Sequence, residues 1–431
     1  MAEIVKSTKK ERLGWYIYDW ANSAFSTTVV TVFIGPYLTS VAANASVDGY
    51  VYPLGIKVFV ESFYPFLISL SVALQLLLLP IIGALVDHLN IKKQLLGIFT
   101  LIGSLATMAL FYLQGNNYLF GGLMFLIANI CFGAAMVVYN SFLIELAEDK
   151  WRDKVSSIGW GIGYLGGGLL LLINLLIFNF ADSLFPTNPQ EMAIRVALAS
   201  AGVWWMLFSI FPMLWLKNHK IDEFPIEPKK IILSIGKLKE TMKDLKNHKN
   251  ALLFLLAFIF YNDGVQAVIV MSAQFAQREI KLSSDIIISA ILMVQFMAFL
   301  GALLFDYVSR PLGSKSTIYI LIFIWCLAVI FAYFFLDTAE EFFILAGVIA
   351  IGMGGIQALS RSLYSKLIPP DKQGEYFSIY ELSEKGSSLL GPMAFGIAME
   401  FTHSYRFGIL SLIIFFIIGF IILRKVKFTK A

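Results

Sequence analysis

Charged residues are scarce in this chain of 431 residues. Asp, Glu, Lys and Arg together make up 14% of the sequence, whereas soluble domains contain about 25%. Hydrophobic residues make up 58%, which leaves too little polar surface to coat a water-soluble globule. The composition therefore excludes soluble enzymes, nucleic-acid-binding proteins and secreted disulfide-rich domains.

Cysteine and histidine are also rare. Cys131 and Cys326 each lie inside an apolar run, so we expect neither a disulfide framework nor a cysteine-based metal site. All four histidines fall in or beside predicted loops, which argues against a metal centre or a histidine-based catalytic pair within the membrane. The chain contains no GxxxxGK[S/T] nucleotide-binding loop. We therefore expect no cofactor, no metal and no enzymatic activity.

Long apolar runs make up most of the sequence, and its mean hydropathy is +0.76. Many runs reach the length of about 18 residues that is needed to cross a bilayer. They show no alternation typical of a β-barrel, so the spans are predicted to be helices. We predict twelve of them, at 15–42, 64–86, 94–113, 118–145, 155–180, 192–216, 250–276, 284–305, 316–335, 342–366, 376–401 and 404–424.

The distribution of lysine and arginine predicts the orientation. Of 33 basic residues, 26 fall in one alternating set of loops and tails and 3 in the other, while the remaining 4 lie within spans. Basic residues remain on the cytoplasmic side of membrane proteins. We therefore predict a multi-pass protein of the cell inner membrane with both termini in the cytoplasm. The 217–249 loop, with nine lysines, is predicted to be cytoplasmic as well.

The two halves of the chain contain related segments. Span two ends in GALVD at 83–87, and span eight ends in GALLFD at 301–306. YDWANSAF at 18–25 aligns with YNDGVQAV at 261–268 without gaps. This order predicts two pseudo-symmetric halves of six helices, at 1–216 and 250–431, joined by the lysine-rich linker 217–249.

Several motifs resemble a known family. GALVDHLNIKK at 83–93 resembles the loop motif of the major facilitator superfamily. A more specific set resembles the "unknown major facilitator" family, which is similar to the autophagy-related vacuolar amino-acid effluxers. These segments are WYIYDWANSAF (15–25), VYNSFLIEL (138–146), FIFYNDGVQ (258–266), GGIQALSRSLYSKLIP (354–369) and GEYFSIYELSEKGSSLLGP (374–392). The resemblance implies a twelve-helix major facilitator fold and secondary transport, with amino acids as the best-supported cargo.

Polar residues inside spans are the candidate substrate ligands, because a charge at the middle of a bilayer costs about 2.5–3.5 kcal/mol. Asp263 lies near the middle of span seven, where it is either a substrate or proton site or a structural contact between helices. Asn262 and Gln266 share one face of that helix. In span one, Asp19 and Asn22 share a face, and Asp19 is either a functional group or a group near the interface.

Span eleven contains Glu381 and Lys385, four residues apart in the order that favours an intrahelical ion pair. The corresponding residues of span five, Gly161 and Leu165, are uncharged, which favours a function for the pair. Tyr380 on the same helix and Gln357 on span ten complete the predicted substrate-binding set. Proton-coupling candidates are the three acids Asp19, Asp263 and Glu381.

A second group of residues is predicted to act in gating. Arg361 lies about one turn from the cytoplasmic end of span ten, where it either pairs with Glu145 or extends to the interface. Asn140 lies near Glu145 on span four. Asp87, with the following lysines, and Asp306, with Arg310, are predicted to brace neighbouring helices in the two halves.

Taken together, these features predict a monomeric secondary transporter of a small polar organic solute, with the lipid bilayer and the solute as its partners. An amino acid is the leading candidate, with possible coupling to protons. The alternatives are transport of a peptide, a sugar or a drug-like compound, or a receptor or regulatory role without transport.

Overall fold

The computed structural model describes residues 7–88, 91–218, 248–386 and 390–427. Most of the predicted linker 217–249 lies outside the described residues. Helices account for nearly all of the described chain, which confirms the predicted all-α membrane fold. A two-stranded hairpin between the first two spans is the exception.

The first span is one continuous helix with a change of winding. It begins at α1 (Lys9–Ala24), continues as a π-helix over Phe25–Phe33 and ends as α2 (Ile34–Asn44). The Thr8 hydroxyl accepts a hydrogen bond from the Glu11 amide, and the Glu11 carboxylate accepts one from the Thr8 amide, so that a capping box starts the helix.

The remaining elements of the N-terminal part are strands β1 (Tyr50–Val51) and β2 (Val58–Phe59) and six helices. These helices are α3 (Val60–His88), α4 (Lys92–Ala109), α5 (Tyr118–Leu146), α6 (Asp149–Asn179), the short α7 (Ala181–Leu184) and α8 (Pro189–Trp215). The C-terminal part contains α9 (Lys249–Arg278), α10 (Ser284–Leu312), α11 (Ser314–Phe334), α12 (Ala339–Ser365), α13 (Gln373–Gly386), α14 (Leu390–Thr402), α15 (Tyr405–Ser411) and α16 (Ile413–Lys425).

Eleven stretches of helix within the described residues are long and apolar enough to cross a membrane. They correspond to eleven of the twelve predicted spans. The other predicted span, 376–401, includes residues 387–389, which lie outside the described residues, and α13 and α14 are its described parts. Most helices extend a few residues beyond the predicted ends, because polar residues at a helix terminus interrupt the apolar run without interrupting the helix.

The chain divides into two compact units. The first contains residues 1–142 and 162–226, and the second contains residues 143–161 and 227–431. Within the first unit α8 packs against α1 and α4, and within the second α12 packs against α10 and α16 packs against α9. The segment 143–161, from the end of α5 and the beginning of α6, therefore belongs with the C-terminal helices.

Glycines permit the closest helix contacts in both units. A Cβ atom at Gly166 on α6 would lie 2.5 Å from the Trp20 carbonyl oxygen on α1. In the second unit, a Cβ at Gly354 on α12 would overlap the backbone of α10 at Ala298. Small residues allow helix backbones to approach closely in membranes, where van der Waals packing replaces the hydrophobic effect as the force between helices.

We expect the substitution Gly354→Ala to destabilise the protein by about 1–3 kcal/mol, because the added methyl forces α10 and α12 apart. A lower thermal unfolding midpoint in detergent would report this loss. Gly396→Ala on α14 is the matched control, since nothing lies within 4 Å of a Cβ at that position. Equal midpoints for the two variants would contradict the role assigned to the contact.

Candidate functional site

Asp263 is the most deeply buried carboxylate of the predicted substrate-binding set, with 0% of its surface exposed. It lies at the middle of α9, with half of the 30-residue helix on either side. The Oδ1 atom accepts a hydrogen bond from the Gly391 backbone amide of α14 at 3.0 Å. The Oδ2 atom is buried and has no hydrogen-bond partner among the described residues.

The hydrogen bond from the Gly391 amide joins α9 to α14. One carboxylate oxygen of Asp263 therefore contacts the backbone of α14, whereas the other accepts no hydrogen bond from the described residues. Gly391 permits this approach, because a Cβ there would lie 3.0 Å from Oδ1 of Asp263.

Aromatic side chains of the second unit pack against one another between α9, α12 and α13. Tyr380 on α13 stacks on Phe258, with ring centres 4.6 Å apart, and on Tyr364 at 5.3 Å. The Tyr261 hydroxyl forms a hydrogen bond of 2.7 Å with the Ser360 hydroxyl. These contacts hold α9, α12 and α13 together.

The other predicted residues of these helices differ in burial. Asn262 and Glu381 are each 2% exposed. Gln266, Gln357 and Lys385 are half-buried. Glu381 and Lys385 both lie on α13, as predicted.

Arg361 is fully buried on α12 and contacts residues from the beginning of α6. Its Nε donates to the Ser156 hydroxyl at 2.9 Å, and its Nη2 donates to the Ser156 carbonyl at 2.8 Å. The guanidinium also lies over the Trp160 ring, 5.2 Å from the ring centre. Ser156 in turn donates to the Ala358 carbonyl at 2.7 Å, so α6 and α12 are joined through several bonds at one level.

A second polar cluster lies about one helical turn away, and the sequence analysis did not identify it. The Asp153 cluster consists of Asp153, Ser314, Ser362 and Lys366. Asp153 accepts hydrogen bonds from the Ser362 hydroxyl at 2.6 Å, the Ser314 hydroxyl at 2.8 Å and the Lys366 ammonium at 2.7 Å. Both charged side chains are largely buried, at 18% and 19% exposure. In the sequence, Asp153 lies between Arg152 and Lys154 and outside the predicted spans, so no local pattern indicates its burial.

Arg152 adds a further contact to the same elements. Its Nη1 donates to the Ser365 carbonyl at 2.9 Å, and its Nε donates to the Ala147 carbonyl at 3.1 Å. Together, Arg152, the Asp153 cluster and the pair Ser156–Arg361 form a band of polar contacts, which we call the α6–α12 clasp.

The predicted gating residue Glu145 lies in the same unit and is half-buried.

In the first unit, Asp19 lies in an aromatic cluster. Its Oδ2 accepts a hydrogen bond from the Tyr139 hydroxyl at 2.7 Å. Trp15 stacks on Tyr139 with ring centres 4.4 Å apart, and its indole donates to the Tyr139 carbonyl at 2.9 Å. Asn22, one turn further along, donates from Nδ2 to the Met136 sulfur at 3.2 Å. These contacts connect α1 to α5.

The remaining predicted gating residues are buried. Asn140 on α5 is 1% exposed, and Asp87 and Asp306 are each 6% exposed. Asp306 pairs with Arg310 at 2.7 Å, one turn along α10. Arg310 itself is 54% exposed, so this pair contributes modestly to stability.

The chain matches the family model described as "Vacuole effluxer Atg22 like" over residues 7–431. It is 30% identical over 425 residues to the uncharacterized MFS-type transporter YxiO of Bacillus subtilis, covering 98% of this chain and 96% of that one. It is 26% identical over 477 residues to autophagy-related protein 22 of Saccharomyces cerevisiae, covering 94% and 89% of the two chains.

Solved structures share the fold at low sequence identity. The outward-conformation structure of the major facilitator transporter FucP superposes with a TM-score of 0.71 at 12% identity, covering 97% of this chain and 99% of that one. A double-tryptophan mutant of XylE gives a TM-score of 0.72 at 14% identity, covering 98% and 95%. The described helices therefore have the major facilitator fold.

We expect Tyr139→Phe to destabilise the protein by about 1–3 kcal/mol, because the buried Asp19 carboxylate loses a hydrogen-bond donor. A thermal unfolding series in detergent measures the loss. Tyr112→Phe provides the control, since Tyr112 is 62% exposed. If the two variants unfold at the same temperature, the hydrogen bond to Asp19 does not stabilise the first unit.

Proposed function

The chain belongs to the vacuole effluxer Atg22-like family of major facilitator transporters, and from this membership we propose a secondary active transporter of amino acids. The match extends from residue 7 to residue 431 and carries the proposal. Amino acids are the cargo implied by the resemblance of the spanning motifs to the vacuolar effluxers. Transport proceeds by alternating access, in which the cargo site opens to one side of the membrane at a time.

In this proposal the cargo and the coupling proton bind near Asp263. A carboxylate that is fully buried within a membrane-spanning helix is costly unless it is protonated or paired with a cation. The free Oδ2 supplies a place for either the proton or the ammonium group of an amino acid. Asn262, Gln266 and Gln357 would offer polar contacts, and Lys385 would attract the carboxylate of the cargo. Tyr380, Glu381 and Asn22 complete the proposed set.

We propose that the chain is organised as two halves, 1–216 and 250–431, joined by the linker 217–249. We place the protein in the inner membrane as a monomer with both termini in the cytoplasm, because 26 basic residues lie on one side and 3 on the other. By that orientation the α6–α12 clasp lies towards the cytoplasm. We propose that the clasp is formed when the cargo site is closed to the cytoplasm and released when it opens.

Transport in proteoliposomes tests the role of Asp263. We expect Asp263→Asn to retain exchange of amino acids across the membrane while losing their accumulation under an imposed pH gradient, because an amide cannot bind or release the proton. Uptake of a panel of radiolabelled amino acids measures both activities. The control is Asp182→Asn, on the exposed side of α7.

Two results would contradict this part of the proposal. Accumulation by Asp263→Asn at the wild-type rate under the pH gradient removes Asp263 from proton coupling. If the wild-type protein moves none of the amino acids in either direction, amino acids are not its cargo.

A charge reversal tests the α6–α12 clasp. We expect Asp153→Lys and Lys366→Asp each to slow transport, because each places two like charges in a largely buried cluster. The double variant is expected to recover part of the rate, with a coupling energy of about 0.5–3 kcal/mol from the double-mutant cycle. The parallel reversal of the exposed pair Lys150 and Glu148 is the control. Additive effects at Asp153 and Lys366 would show that the pair does not act as a unit.

A further inference from the structure

The loop between α2 and α3 folds into a hairpin with two tight turns. In the first turn the Tyr50 amide donates to the Val47 carbonyl at 3.0 Å, and the central residues Asp48 and Gly49 have φ values of 52° and 79°. Positive φ at both central positions defines a type I′ turn, for which Asp-Gly is a favoured sequence. Strands β1 and β2 then pair antiparallel.

The second turn has the same backbone form with a different sequence. The Ile56 amide donates to the Pro53 carbonyl at 3.0 Å, and the central residues Leu54 and Gly55 have φ values of 53° and 82°. A leucine is disfavoured at positive φ, because its Cβ crowds the backbone, whereas Asp or Asn tolerates the conformation. The backbone therefore does not account for a leucine at this position.

Packing within the protein does not account for it either. Leu54 is 95% exposed and Ile56 is 65% exposed. Tyr52 and Phe59 beside them are 47% and 50% exposed. The Lys57 ammonium lies over the Tyr50 ring, 4.0 Å from its centre. Apolar side chains combined with aromatic rings and a lysine are the composition that proteins place at the boundary between water and lipid.

The hairpin is held close to that boundary by its two ends. The first span ends at Asn44, and the second begins at Val60, six residues after Leu54. Six residues reach about 20 Å at most when fully extended, so the tip lies within about 20 Å of the start of α3. The exposed side chains of Tyr52, Leu54, Ile56 and Phe59 are also too small a surface for a stable protein partner, because such an interface buries about 1,200–2,000 Å² in total.

We propose that Leu54 and Ile56 insert into the bilayer at the level between headgroups and acyl chains, and that Lys57 lies at the lipid phosphates. The hairpin then anchors the ends of spans one and two to the membrane surface. This role does not depend on the identity of the cargo.

Depth measurements with a fluorescent label test the anchor. A single cysteine at Leu54→Cys, in a background with Cys131→Ser and Cys326→Ser, is labelled with the polarity-sensitive fluorophore NBD. The protein is reconstituted in vesicles of phosphatidylcholine and phosphatidylglycerol. We expect a blue-shifted emission that is quenched by lipids with a nitroxide near the headgroup and not by aqueous iodide.

The matched control is Asn116→Cys in the polar turn 114–117, which connects the next two spans on the same predicted side of the membrane and is exposed. Its label is expected to be quenched by iodide. If the Leu54→Cys label is quenched by iodide to the same degree, the anchor does not exist. The measurement can be repeated with the natural cysteines present, because Cys131 is buried and Cys326 lies within a span. Protein without the Leu54→Cys substitution then gives the background fluorescence from labelling of the natural cysteines.

The substitution Leu54→Asn separates anchoring from folding. Asparagine suits the turn better than leucine, so the unfolding midpoint in detergent should be unchanged or higher. A label at Ile56→Cys should nevertheless move from lipid to water in this variant. Unchanged lipid quenching would overturn the assignment of Leu54. Formation of Leu54→Cys disulfide dimers at a low ratio of protein to lipid would overturn the proposal in favour of contact between two copies of the chain.

Discussion

The bilayer core offers no hydrogen-bond partners, and every polar group that enters it must find one within the protein. Continuous helices meet this requirement for the backbone. Several buried polar side chains meet it at least in part through contacts between helices: Asp19 with Tyr139, Arg361 with Ser156, and Asp263 with the Gly391 amide. Each of these bonds joins two helices.

The closest approaches occur at glycines, where backbone lies against backbone. Gly166 faces Trp20 in the first unit, and Gly354 faces Ala298 in the second. Between helices that are apolar on all sides, such contacts replace the hydrophobic effect as the source of specificity. They make each unit compact.

The polar contacts of the second unit lie at two levels. Near the middle of α9, Asp263 has one carboxylate oxygen that accepts a hydrogen bond from the Gly391 amide of α14 and one that has no hydrogen-bond partner among the described residues. At the end of α12, the α6–α12 clasp joins a segment from the N-terminal part of the chain to the C-terminal helices. While the clasp is formed, hydroxyl groups surround the Asp153–Lys366 ion pair and satisfy its charges. Water can satisfy the same charges once the ion pair separates.

The sequence by itself determined the membrane class, the helical spans and the family, because hydropathy and local motifs do not depend on tertiary contacts. The candidate charged residues within spans followed from the same scarcity of charge. Only the tertiary structure decided the partners: Arg361 bonds to Ser156, and Asp153 pairs with Lys366, more than 200 residues away in the chain. Residues so distant in sequence meet through the packing of α6 against α12, which no local pattern specifies. The hairpin turn at Leu54 also escaped prediction, since leucine is a poor residue for the conformation that it adopts.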